Sequence, residues 1–424
     1  MVIKNFDDLA RTPQRKIVLE LIESALEAIE PQKVLEKNIS VENAVLKIQD
    51  KIFDLQNFER VFLVGFGKGS AGIAKIVEEK LGDRLTAGYD IDVVQTEFSK
   101  IKFTLGTHPL PTEQNLRFTQ EVLDGLGQLT EKDLVLVVIC GGGSVMFEKP
   151  HKINLGTLTM LNKALLRSGA TISEMNVIRK HLSDTKGGGL AKALYPATVA
   201  SLIFSDVPGN DLSVIASGST VKDQSTLQEA LDLLEKYQIT KELPLSSDDF
   251  TETPKEDKYF EKVSNMMILS NVTALEAMQK KAQELGITAV IHSDKTQGDA
   301  KEVGKQLIDL AKPGEILLIG GETTVKVVGN GEGGRNQTLV LAALQYVGEN
   351  TIIASFDSDG WDFFELAGAI GDSLTVKKAQ ELGLDTTMFL NNDDSYHFLT
   401  QVGDGILTGK LASNVSDLMI VYKW

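Results

Sequence analysis

Two cations set beside glycine-rich turns carry the clearest chemistry in this sequence. Lys68 stands inside VGFGKGSAGIAK, Val64 to Lys75, among Gly65, Gly67, Gly69 and Gly72. Those glycines leave room for an anion at the backbone, and a helix beginning near Ser70 would aim its N-terminal dipole at the same point. Arg335 follows the turn Gly331 to Gly334 and opens a second helix. A bidentate guanidinium there suits a phosphoryl group or a substrate carboxylate. Asp206 ends the apolar run ATVASLIFSDV, where a carboxylate can hold Mg²⁺ or accept a proton from a hydroxyl.

Further clusters share this character. CGGGSVMF, Cys140 to Phe147, follows the most apolar run, and Gly141, Gly142 and Gly143 with Ser144 would form a nest of N–H groups beside a hydroxyl. Cys140 itself reads as a small buried hydrophobe. Arg179, Lys180, His181 and Lys186 concentrate positive charge just before Gly187 to Gly189, and Lys186 is the one set for anion contact. Gly320 and Gly321 are expected to form another cradling turn. Asp357, Asp359 and Asp362 crowd one strand end, where repulsion calls for a cation or hydrogen-bond donors. Asp211 and Asp223 read as Asx-turn residues.

These residues need an α/β scaffold to position them. Apolar runs beginning at Val61, Leu134, Ala197, Glu315 and Thr351 each stop at a turn rich in glycine or aspartate, the pattern of strands buried on both faces of a parallel sheet. The first fifty or so residues read as helices and as a preamble. The chain of 424 residues is too long for one core. A polar stretch with Pro244 and Pro254 places the boundary between an N-terminal Rossmann-like α/β domain, 1–245, and a C-terminal α/β domain, 246–424, each with a mostly parallel sheet. Past it, helices are expected over 272–285 and 301–310, with strands at 287–291 and 316–319.

Composition excludes several classes. A net charge of −16 repels nucleic-acid backbones, and one cysteine excludes a disulfide framework or a multi-thiolate metal site. No run reaches the roughly 18 apolar residues of a membrane span, and the amino-terminal stretch is too polar for a signal peptide, so a soluble cytoplasmic protein is expected. Gly67, Gly69 and Gly72 also make a formal G-x-G-x-x-G. The acidic partner that a dinucleotide crevice requires is poorly placed, since Asp90 and Asp92 come early and Glu97 late.

Taken together the motifs resemble those of the glycerate 2-kinase family, whose carboxyl-terminal region is the MOFRL domain. The resemblance rests on GKGSAG, THPLPTEQN from Thr107, CGGGS, NVIRKHLSDTKGG, SDVPGND with ASGSTVKD, GGETTV, GEGGRNQ, SDGWD, AGAIGD and NDDSYHFLTQVGDGILTGKLASNVSDL. It implies an enzyme that phosphorylates the 2-hydroxyl of D-glycerate with ATP and Mg²⁺ in an interdomain cleft. Lys68, Asp206 and Arg335 fall on the family's catalytic positions. The expected nucleotide-contacting set is Gly67, Gly69, Ser70, Gly141, Gly142, Gly143, Ser144, Lys186, Gly320, Gly321, Glu322 and Asn336, with Asp206 and Asp359 on the metal. The chain departs from the family pattern at Asn210, at Ser219 and at DFFE, Asp362 to Glu365. Two other functions compete: an NAD(P)-dependent hydroxypyruvate reductase, from the glycine fingerprint, and a non-catalytic nucleotide or sugar-acid sensor. A homodimer stays open.

Overall fold

The computed structural model describes residues 1–243 and 245–424, so Pro244 lies outside the described residues. Two compact units emerge. The first comprises Leu35–Ser205 and Asp211–Ile268, and the second Met1–Val34, Asp206–Asn210 and Leu269–Trp424. The units therefore do not part between 245 and 246 as expected. The second unit takes the chain's first 34 residues as well as its last stretch.

The first unit opens with an antiparallel sheet of β1 (Ile39–Glu42), β2 (Val45–Ile48) and β3 (Lys51–Asp54), where helix was expected. The main sheet contains β4 (Arg60–Phe66), β5 (Ala87–Asp92), β6 (Ile101–Leu105), β7 (Asp133–Ile139), β8 (Thr198–Phe204) and β9 (Val263–Leu269). Its order is β6-β5-β4-β7-β8-β9, and the pairings among β4 to β8 are parallel. The order reverses between β4 and β7, the place where open parallel sheets leave a crevice beyond the strands' carboxyl ends. Every residue of β7 is buried, which is why its sequence is an unbroken apolar run.

The second unit's sheet is built from β10 (Thr288–Asp299), β11 (Glu315–Thr324), β12 (Thr351–Asp357), β13 (Leu366–Gly371), β14 (Gly405–Leu407) and β15 (Asp417–Lys423), in the order β10-β11-β15-β12-β13-β14. Here the expectation of a mostly parallel sheet fails. β10 and β11 pair in parallel, whereas β11–β15, β12–β15, β12–β13 and β13–β14 are antiparallel. Two of these pairings arise because β15 inserts between β11 and β12, and the other two because β13 and β14 add on antiparallel beyond β12. Runs buried on both faces look alike in either direction, so the apolar pattern carries no direction. Helices Asn271–Glu284 and Ala300–Leu310 lie within a residue or so of their expected bounds.

The amino-terminal helix Pro13–Ala28, capped by the Thr12 hydroxyl, is no preamble. Arg15 on its first turn is fully buried, giving 2.7 Å to Asp372 and 2.6 Å to Asp404. A guanidinium out of water needs this multiply bonded carboxylate cage.

Candidate active site

In the first unit, β4 runs into the lysine loop at the sheet's reversal point. Gly67 and Gly69 adopt φ of 114° and 87°, which side chains rarely tolerate, and a Cβ on Gly67 would lie 2.5 Å from the Cys140 carbonyl oxygen. The loop is pinned from both sides. Lys68 N–H donates to the Gly141 carbonyl (2.8 Å), while Asp92 at the end of β5 accepts from Gly69 N–H (2.9 Å), Ala71 N–H (3.1 Å) and Val93 N–H (2.6 Å). The helix Ser70–Leu81 thus has its N-terminal donors met by an internal carboxylate. Ser70 is buried too, its hydroxyl turned to Asp90 and the Ile91 carbonyl, both at 3.2 Å. Gly67, Gly69 and Ser70 therefore shape the loop, and Ser70 does not reach outward. The same geometry disfavours a dinucleotide, because the acidic residue that would meet a ribose is spent on the loop itself.

What the loop presents is the Lys68 side chain. It is exposed and forms no ion pair among the described residues. Beneath it, Asp90 is fully buried, and burial first, then the nearby Asp92 charge, push its carboxyl well above the usual range.

The triglycine loop lies alongside. Gly142 has φ of 75°, a Cβ there would meet the His108 ring at 2.8 Å, and one on Gly143 would meet the Phe66 ring at 2.9 Å. Lys68, His108 and the loop from Cys140 to Ser144 thus share one surface. Sequence reasoning missed Ser217, whose hydroxyl lies 2.7 Å from that of Ser144. Ala216 and Ser217 hold φ of 47° and 55° without being glycine. The sequence gives no signal for this, because ASGST lacks the asparagine or aspartate that commonly adopts such φ. Lys186 is a correction. It is buried in an ion pair with Glu148, whose other oxygen accepts from Ser183 at 2.6 Å. Burial pulls the lysine's pKa down to about 7, and the ammonium is not offered to a ligand.

In the second unit Arg335 opens the helix Arg335–Ala343 beside the paired residues Asp357 of β12 and Asp417 of β15. Its Nε donates to Asp417 (2.7 Å) and a terminal nitrogen to Asp357 (2.9 Å), with Glu322 at 3.4 Å. Burial works against its charge, but Asp417, Asp357 and Glu322 outweigh it and raise the pKa above the ordinary arginine value. Asp357 is raised well above the carboxylate range by burial and by Asp417. Asp362 caps the helix, accepting from Asn336 N–H (3.1 Å) and Gln337 N–H (3.0 Å), and burial pushes its pKa up to about 6. DFFE is therefore a helix cap in this chain, with Glu365 accepting from the Tyr396 hydroxyl at 2.8 Å.

Three expected contacts in this unit are structural instead. Asn336 is fully buried and donates to Asp417 at 2.8 Å. Gly320 and Gly321 form no turn, being strand residues of β11 paired with Leu418 and Asp417 of β15. They are glycine because a Cβ would come within 2.7 Å of the Asn271 amide and 2.0 Å of the Thr296 carbonyl oxygen. Glu322 remains exposed at the arginine.

The segment from Asp206 to Asn210 belongs to this unit. The Ser416 hydroxyl donates to the Asp206 carbonyl, Gly209 N–H to the Asp294 carbonyl (3.2 Å), and the Asn210 amide to Asn271 (3.0 Å) and Asp294 (3.4 Å). An aspartate at 210 would set two carboxylates against each other, so Asn210 suits its neighbour. Asp211 accepts from Ser213 N–H at 2.8 Å, the expected Asx turn. No group of three His, Cys, Asp or Glu side chains is placed to hold a metal among the described residues. Half-buried Asp206 and Asp359 nonetheless offer the carboxylate oxygens that Mg²⁺ takes one or two at a time beside substrate phosphates. Among the described residues, no helix is long and apolar enough to cross a membrane.

Unit by unit, the sheets and flanking helices define an α/β enzyme scaffold, and the chain belongs to the glycerate kinase family of phosphotransferases. Residues 17–251 match the domain of unknown function DUF4147, and residues 315–417 match the MOFRL family. The chain is 35% identical to a glycerate 2-kinase of Pyrococcus horikoshii, covering 96% of each protein. It is also 35% identical to a D-glycerate 2-kinase of Thermotoga maritima, covering 96% of this chain and 97% of that one. The crystal structure of a glycerate kinase from Thermotoga maritima superimposes with a TM-score of 0.85 at 34% identity, over 96% of this chain and 99% of that one.

Proposed function

We propose that this protein transfers the γ-phosphoryl group of ATP to the 2-hydroxyl of D-glycerate, with Mg²⁺ as the companion ion. Phosphoryl transfer asks a protein mainly for positioning and for positive charge where the equatorial oxygens gather negative charge. The observation that carries the reading is the Lys68 ammonium, exposed and without an ion-pair partner among the described residues, on a loop that two hydrogen-bond systems hold still. Lys68 stabilises the migrating group. Asp206 orients or deprotonates the acceptor hydroxyl. Arg335 supplies the second cation through the guanidinium edge that Asp417 and Asp357 leave open. The triglycine loop and Ser144 receive an oxyanion of nucleotide or substrate. Asp206 and Asp359 would hold Mg²⁺, which when bound neutralises charge on the phosphate oxygens.

The test is purified protein with MgATP and D-glycerate, the product identified by phosphorus NMR. Formation of 2-phosphoglycerate is expected. The absence of ADP release with glycerate and related hydroxy acids overturns the reading. NADH oxidation with hydroxypyruvate would favour the reductase, which the commitment of Asp92 to the lysine loop argues against.

A further inference from the structure

The Ser144–Ser217 pair has a role that the proposed chemistry has not used. The two hydroxyls are 2.7 Å apart, yet Ser217 is 1% exposed while Ser144 is half-buried. Ser217 sits in three successive left-handed residues, Ala216, Ser217 and Gly218, with φ of 47°, 55° and 64°. Non-glycine residues hold that conformation only where the surroundings overdetermine it. Here they do: Gly187 N–H donates to the Ser217 carbonyl (2.9 Å), Gly188 N–H to the Gly218 carbonyl (2.8 Å) and Leu190 N–H to the Ser219 carbonyl (3.1 Å). A Cβ on Gly143 would meet the Ala216 methyl at 3.2 Å, so the two loops are in contact. Gly187 and Gly188, beside the lysine expected to contact an anion, instead clamp the turn that delivers Ser217.

The proton count then gives a direction. Each hydroxyl has one proton, and one of the two spans the pair. Either hydroxyl could donate across the pair, but the buried Ser217 hydroxyl bonds no other group among the described residues, so its proton is satisfied only by donating to Ser144, which leaves the Ser144 proton free to point outward. The N–H groups of Gly142 and Ser144 bond no acceptor among the described residues, so they accompany that hydroxyl. We infer that Ser144 is an oxyanion-binding donor and that Ser217 is its positioning residue, fixing the Ser144 hydroxyl as a donor toward a bound carboxylate or phosphate. The inference rests on the kinase reading for the identity of that anion and deepens it by assigning the hydroxyl relay.

The experiment measures binding by calorimetry, with D-glycerate, MgATP and inorganic phosphate as separate probes, for wild type, Ser144→Ala, Ser217→Ala and the double variant. Losing a hydrogen bond to a charged group weakens binding roughly ten- to hundredfold. That loss is expected for one probe in Ser144→Ala, with a smaller loss of the same probe in Ser217→Ala. The double variant should be no worse than Ser144→Ala, because Ser217 acts through it. A loss confined to D-glycerate names the carboxylate as ligand, and one confined to MgATP or phosphate names the phosphate. Unchanged affinities for every probe, or a double variant whose loss is the product of the single losses, overturn the inference. Ser217→Gly, which relieves the backbone strain, serves if Ser217→Ala unfolds, and unfolding of both makes the role structural and overturns it as well. Since binding is read without turnover, wild type that binds D-glycerate or ATP but makes no product refutes the kinase and leaves the relay standing.

Discussion

Lys68 and Arg335 occupy equivalent local settings, and their charges are handled in opposite ways. Lys68 lies inside a glycine-rich loop just before a helix and Arg335 just after one at a helix start, and each helix has its first N–H groups met by a carboxylate from elsewhere in its unit, Asp92 in one and Asp362 in the other. The lysine remains exposed and, among the described residues, outside any ion pair, whereas the arginine is tied to Asp417, Asp357 and Glu322. The lesson is that a cation beside a glycine loop announces anion binding only when its partners are absent. In the proposed reaction Lys68 is the cation that meets the ligand, while Arg335, tied to its carboxylates first, contributes only what they leave.

The contrast can be broken experimentally. The largest effect expected is from Arg335→Ala, which strands Asp417 and Asp357 in the interior and should cost about 3–5 kcal/mol, read by urea unfolding; a loss below about 1 kcal/mol would erase the distinction between the two cations. Lys68→Ala should leave the melting temperature within a degree or two and lower kcat by roughly 10²–10³. Instability of that variant would show that the loop needs the ammonium for its shape. Asp92→Ala orphans three N–H groups of the lysine loop and should cost about 1–2 kcal/mol together with a fall in kcat, measured by melting and steady-state kinetics.

The smallest effect is a pH slope. Asp362 has a folded pKa of about 6, raised by burial from an ordinary 3.8. Between those values the unfolded chain has released a proton that the folded chain keeps. Its contribution to stability therefore falls as pH rises from about 4 to about 6 and is level above that. The stability difference between wild type and Asp362→Asn, followed by urea unfolding across that window, should drift against the wild type, and a flat difference would deny the cap its protonated form.

Much of this was readable beforehand, and the remainder fails for physical reasons. All five apolar runs are strands, β4, β7, β8, β11 and β12, because a strand covered on both faces must be apolar throughout. Strand direction in the second sheet was not readable, since β15 arrives from the far end of the chain and burial is indifferent to polarity. Lys68 was singled out from its loop alone, and its side chain is exposed on that loop. The fates of Lys186 and Asn336 were hidden because their partners, Glu148 and Asp417, lie 38 and 81 positions away in the sequence. Gly320 and Gly321 misled because glycine marks any close approach, and theirs is to Asn271 and Thr296 within the protein.

The cage around Arg15 sets a schedule for biosynthesis. Asp372 and Asp404 leave the ribosome 357 and 389 residues after the Arg15 that needs them. During that interval the helix Pro13–Ala28 waits without its carboxylates while the parallel sheet of the first unit is already available to assemble. A fragment starting at 246 would carry two acidic side chains deprived of their counter-ion, so the second unit of this chain is completed by residues that translation supplies before it.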